Sequence, residues 1–77
     1  MSNFKPYTVV VEYSMPDEKS RAASGNFVEC LWIRAWSRDD ARARAIKSIE
    51  SGGGVALRTA IKGTKLFDKI FEENRIR

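Results

Sequence analysis

Hydrophobic and polar positions repeat with two different periods along this chain, and each change of period marks an element. Tyr7-Thr8-Val9-Val10-Val11-Glu12-Tyr13 has period two, with Tyr7, Val9, Val11 and Tyr13 on one face and Thr8, Val10 and Glu12 on the other. That pattern predicts a strand, preceded by a short leader from Met1 to Pro6. Ser14 to Gly25 collects Pro16, Asp17, Ser20, Ser24 and Gly25, so it reads as a loop, long for a hairpin connection. Phe27 to Trp36 is rich in β-branched and aromatic residues and holds neither Gly nor Pro, as a half-buried strand should. Arg38 to Ser51 changes to helical spacing, with Ala41, Ala45, Ile46 and Ile49 on one stripe. Val55 to Lys62 returns to period two: Val55, Leu57, Thr59 and Ile61 alternate with Ala56, Arg58, Ala60 and Lys62. After Gly63-Thr64 an apolar stripe of Leu66, Phe67, Ile70 and Phe71, bordered by Asp68, Lys69, Glu72 and Glu73, predicts a last helix.

The ends of the middle helix are written as clearly as its body. Ser37 is placed to accept a hydrogen bond from a free first-turn N–H, and Asp39 and Asp40 sit where the helix dipole favours negative charge. Ser51-Gly52-Gly53-Gly54 stops the helix, because glycine reaches the left-handed region at little steric cost. The order is thus β-β-α-β-α. It predicts an α+β fold in one small domain over residues 1–77, with a three-stranded, mostly antiparallel sheet and the middle helix across one face. The first two strands are expected to pair as a long-looped hairpin.

Composition narrows the classes. A chain of 77 residues buries only about 60% of its unfolded surface, so every large apolar side chain matters. A hydrophobic fraction of 43% argues against wholesale disorder. No apolar run is long enough to span a bilayer, and the N-terminus lacks the apolar core of a signal peptide. Cys30 is the only cysteine, so no internal disulfide is expected, and a cytoplasmic location follows. The net charge of +4 and pI near 9.6 tilt the chain toward acidic partners, either nucleic acid or an acidic protein surface.

Catalytic chemistry finds little purchase. There is no histidine, the usual general base and commonest metal ligand. Cys30 without histidine reads as a small strand hydrophobe. Asp39 with Asp40, and Glu72 with Glu73, are helix neighbours that point about 100° apart, so neither pair converges on one atom. The glycine run follows a helix instead of preceding one and lacks the Lys-Ser/Thr ending of a phosphate loop. No enzyme, cofactor or metal site is expected.

One constellation stands out. The second strand is apolar on both faces, with Leu31, Ile33 and Ala35 in one set and Val28, Cys30, Trp32 and Trp36 in the other, Arg34 among them. If Leu31 and Ile33 face the middle helix, Trp32, Arg34 and Trp36 face away. The matching choice on the third strand puts Val55, Leu57 and Ile61 inward and Arg58 and Lys62 outward. Trp32, Arg34, Trp36, Arg58 and Lys62 then form an outer face of aromatics and cations, suited to a protein hot spot or to base stacking with phosphate contact. Two alternatives compete with a free face: the last helix covers the tryptophans as a second core, or two sheets pair in a homodimer. Arg42 lies within the helix stripe and is expected to snorkel; Arg38, Arg44 and Lys47 fall on the solvated side.

Tyr7 to Ser14, Asn26 to Ala35, Ser37-Arg38-Asp39-Asp40-Ala41 and Val55 to Ile61 resemble the strand-strand-helix-strand plan of the early RNA-polymerase inhibitors of short-tailed lytic coliphages, and of some type I-F anti-CRISPR proteins. The resemblance is one of order, alternation and helix entry; the Ser14–Gly25 loop and the helix after Thr64 depart from it. It implies a non-catalytic protein that binds a host or defence complex in the bacterial cytoplasm and blocks it. In the polymerase inhibitors basic residues of the last strand touch the enzyme, and Arg58 is the nearest counterpart. The basic charge disfavours mimicry of DNA. The alternative is a nucleic-acid-binding accessory protein using the same basic face, as monomer or homodimer.

Overall fold

The structure, a computed structural model, describes residues 3–15 and 26–75. In chain order it has strand β1 (Lys5–Ser14), strand β2 (Phe27–Ala35), helix α1 (Arg38–Ser51), strand β3 (Val55–Ile61) and helix α2 (Lys65–Arg75). This is the expected β-β-α-β-α order. Most of the Ser14–Gly25 loop lies outside the described residues, and the expected leader is shortened because Lys5 and Pro6 already belong to β1.

The sheet order is β2-β1-β3, with β1 antiparallel to both neighbours. The β1–β2 register runs unbroken from Lys5 opposite Ala35 to Tyr13 opposite Phe27. β3 reaches only to Ile61 opposite Val9, with the Lys62 N–H donating to the Thr8 carbonyl at 2.9 Å. At Pro6, therefore, β1 has β2 on one side and no β3 residue on the other, where a missing N–H is tolerated.

Helix α1 lies across one face. Ala41, Ala45 and Ile49 meet Val9, Val11, Ala35 and Ile61, with Tyr7, Tyr13, Leu31, Ile33 and Ala56 at the margins. The alanines are small enough to bring the helix close to the sheet; Ile46, expected on the same stripe, is only partly buried at its side. Ser37 Oγ accepts from the Asp40 N–H at 3.1 Å, as its N-cap position requires. At the other end Gly53 has φ +94°. Gly54 passes so near the core that a Cβ would lie 2.7 Å from Ile49 Cγ2 and 3.1 Å from Tyr13 Cδ2.

Helix α2 covers part of the opposite face. Phe67 and Ile70 pack on Val10 and Ala60, with Val28 at the edge. Thr64 Oγ accepts from the Phe67 N–H at 3.3 Å and donates to the Ile61 carbonyl at 2.8 Å, which joins the helix to the end of β3. Leu66 and Phe71, read as part of the same stripe, stay exposed on its flanks.

The expected facing of β3 needs correction at its start. Val55 and Leu57 are 45% and 49% exposed, and Ala56 packs toward α1 in their place. The register shifts between Glu12 and Tyr13, so Arg58 opposes Glu12 while Ala56 opposes Tyr13. A bulge of this kind reverses the facing of every residue before it.

Ile49 is the largest side chain that α1 buries in the core, so Ile49→Ala should cost about 2–5 kcal/mol of stability. Urea unfolding beside the surface control Lys47→Ala checks this; equal midpoints for the two variants would refute the packing.

Candidate binding face

The outer face of the sheet can be laid out row by row from the strand register. Val28, Glu12 and Arg58 form one row, and Cys30, Val10 and Ala60 the next. Trp32 opposes Thr8, which in turn accepts the Lys62 N–H. Arg34 opposes Pro6. Helix α2 packs over β1 and β3, and among the described residues the β2 side chain packed against that core is Val28. The rows from Cys30 to Arg34 are therefore open on the β2 side.

Both tryptophans lie outside the second core: Trp32 is 67% and Trp36 57% exposed. Their settings differ. Trp32 has no ring or ion partner among the described residues. Trp36 packs against Phe4 at 4.7 Å between centroids with the rings tilted by 55°, and the same Phe4 ring carries the Arg34 and Arg44 guanidiniums at 5.7 and 5.5 Å. Phe4 belongs to the expected leader and Arg44 to the expected solvated side of the helix; continuing the alternation back from Thr8 through Pro6 is the signal that brings Phe4 in. Cys30, read as a buried hydrophobe, is exposed on the same open strip.

Of the basic residues singled out, Arg34 and Lys62 are exposed and make no ion pair among the described residues. Arg58 is placed otherwise. Its Nε and Nη2 donate to Glu12 at 2.7 and 3.1 Å, and Nη2 also donates to Glu73 of α2 at 2.7 Å. Asn74 Nδ2 donates to the same Glu12 carboxylate at 3.3 Å. These two carboxylates hold the guanidinium in its charged form, well above its ordinary range, with Glu12 the larger cause. Arg58 thus ties α2 to the sheet. Arg42 is exposed and pairs with Asp39, its side chain lining a groove of about 270 Å³ beside Thr59, Ile61 and Thr64.

Charge is divided along the sheet. Lys5, Arg34, Arg38, Lys62 and Lys65 lie at the end where β1 starts and β2 and β3 finish, all without an ion pair among the described residues. Of the carboxylates there, Asp39 and Asp40 are engaged by Arg42 and Arg44, and Asp68 is exposed on α2. Glu12, Glu29 and Glu73 belong to the other end. There Glu29 accepts from the Tyr13 hydroxyl at 3.2 Å; burial first, then that carboxylate, pushes the phenol pKa up. No group of three His, Cys, Asp or Glu side chains that could hold a metal ion occurs among the described residues, and none of their helices is long and apolar enough to cross a membrane.

No protein family, curated protein or solved structure matches the chain.

The two indoles should respond differently to truncation. Trp32→Ala removes an open side chain and should change stability by less than about 0.5 kcal/mol. Trp36→Ala also breaks the tilted ring contact with Phe4 and should cost about 1 kcal/mol. Equilibrium unfolding of the two variants checks the contrast, and equal losses would contradict the assigned settings.

Asp40 supplies a pH signature at the junction that carries Trp36. Its carboxylate accepts the Trp36 N–H at 2.9 Å and the Arg44 Nε–H at 2.9 Å, and these bonds, the backbone one first, hold its pKa below the ordinary 3.8. A depressed carboxylate stabilises the fold above its unfolded value, and that contribution is lost as pH falls through the lower folded value. Acid titration of unfolding midpoints below pH about 4 should show a shallower decline for Asp40→Asn than for the wild type. Parallel profiles would remove Asp40 from the cap.

Proposed function

We propose that the chain is a non-catalytic binding protein of phage type that inhibits or redirects a bacterial machine by occupying its surface. RNA polymerase and a CRISPR surveillance complex are the two kinds of target, which places the protein in the cytoplasm of a bacterial host. The observation that carries the reading is Trp32, two-thirds exposed on a rigid strand between Arg34 on its own strand and Lys62 across Thr8. Tryptophan and arginine are the side chains most enriched at binding hot spots, and one held on a sheet is ordered before the partner arrives. Trp36, anchored on Phe4, extends the contact around the end of β2. Arg58 is left out of the contact, because its guanidinium serves the fastening of α2.

Capture from a bacterial lysate tests this. The wild type should retain one of the two kinds of complex, and Trp32→Ala with Arg34→Glu should lose it while keeping its circular dichroism. Identical captured proteins for wild type and variant would refute the reading.

A further inference from the structure

The surroundings of Trp32 say what kind of surface the face is made to meet. Protein hot spots centre on Trp and Arg within near-neutral contacts that keep water out. Trp32 is 67% exposed, and its same-face neighbours are Thr8, Arg34 and Lys62, with Pro6 and the small Cys30 beyond. The strand spacing sets Arg34 about 7 Å along β2 from Trp32 and Lys62 about 10 Å across the sheet. Arg34 is held over the Phe4 ring. It is exposed and makes no ion pair among the described residues. Lys5, Arg38 and Lys65 extend the positive field at the same end. The complementary ligand is flat where it meets the indole and anionic on both sides of it.

We propose that the open strip of Trp32, Arg34 and Lys62 binds single-stranded nucleic acid, one base stacking on the Trp32 indole and the flanking phosphates resting on Arg34 and Lys62. This deepens the functional reading above and rests on it: the surface occupied on the target machine includes its unpaired nucleic acid. Such strands are part of both kinds of target, since polymerase channels hold single strands and a CRISPR complex displaces one. A duplex fits less well, because its bases are already stacked and only phosphates are offered to the indole. An acidic protein segment matches the charge but brings a flat π-face only where it also carries an aromatic side chain.

Fluorescence anisotropy with a labelled oligothymidylate of about 15 nucleotides tests the site directly. A mixed duplex of equal length and polyglutamate serve as charge controls. The oligothymidylate should bind at least tenfold tighter than either, and it should quench Trp32 fluorescence in a Trp36→Phe background. Trp32→Ala should lose about tenfold in affinity. Arg34→Ala and Lys62→Ala should each flatten the salt dependence by about 0.7 in log–log slope. No binding, equal binding of polyglutamate or duplex, or no effect of Trp32→Ala would overturn the proposal. If it is overturned while lysate capture still depends on Trp32 and Arg34, the contact is with protein and the functional reading survives. If the oligothymidylate binds as expected but neither complex is captured, the nucleic-acid site stands and the functional reading falls.

Discussion

Val9, Val10 and Val11 are consecutive in β1 and all fully buried, so this strand is covered on both faces. Successive strand residues point to opposite sides, and a run of this kind requires a layer above and a layer below. Helix α1 supplies one over Val9 and Val11, and α2 supplies the other over Val10. A three-stranded sheet with one helix would leave Val10 and Ala60 in water. The terminal helix is therefore part of the core, and its placement decides what remains open.

That placement is fixed by a charge. Glu12 follows the valines on the face under α2 and is 7% exposed. A buried carboxylate is costly unless it is paired and hydrogen-bonded. Arg58 from β3 and Asn74 from α2 both donate to it, and Arg58 also reaches Glu73. The unbroken register from Val9–Ile61 sets Arg58 opposite Glu12, just before the shift at Tyr13. These contacts hold the end of α2 over β1 and β3, while Thr64 holds its start at the end of β3. Shifting the helix toward β2 to cover Trp32 would carry Glu73 and Asn74 away from Arg58 and Glu12. The open strip on β2 is thus a consequence of satisfying Glu12.

Local signals were readable where the responsible residues are neighbours in sequence. Ser37, the alanine stripe and the glycine run place α1 at Arg38–Ser51, and alternation places the strands to within a few residues at their ends. The α+β class and the element order follow from these. The central position of β1 was harder to see, because alternation alone assigns Val10 to a half-exposed face; the unbroken valine run is the stronger signal. The facing of Val55 and Leu57 depends on a bulge created by pairing with β1, which no local pattern marks. The role of Arg58 depends on Glu12, 46 residues away. Type and alternation point to Trp32 and Trp36, whereas the covering of Val10 without Trp32 is a property of where α2 lands.

The two tryptophans show how such a strip differs from a leftover of folding. Trp36 joins Phe4, Arg34 and Arg44 in one cluster at the strand–helix junction, so it has a local structural use even while exposed. Trp32 has no ring or ion partner among the described residues, on a strand whose opposite-face neighbours Leu31 and Ile33 already pack against the core under α1. Strand propensity does not require an indole there, since Thr, Val or Tyr fits a pleated edge strand as well. Water-exposed indole also adds nothing to the burial that a domain of this size depends on. What an exposed indole on a rigid strand does provide is a large flat surface with little conformational freedom left to lose on binding. With Arg34 and Lys62 beside it, and with Glu12 and Glu29 at the far end of the sheet and bonded to Arg58 and Tyr13, that surface is both flat and positive.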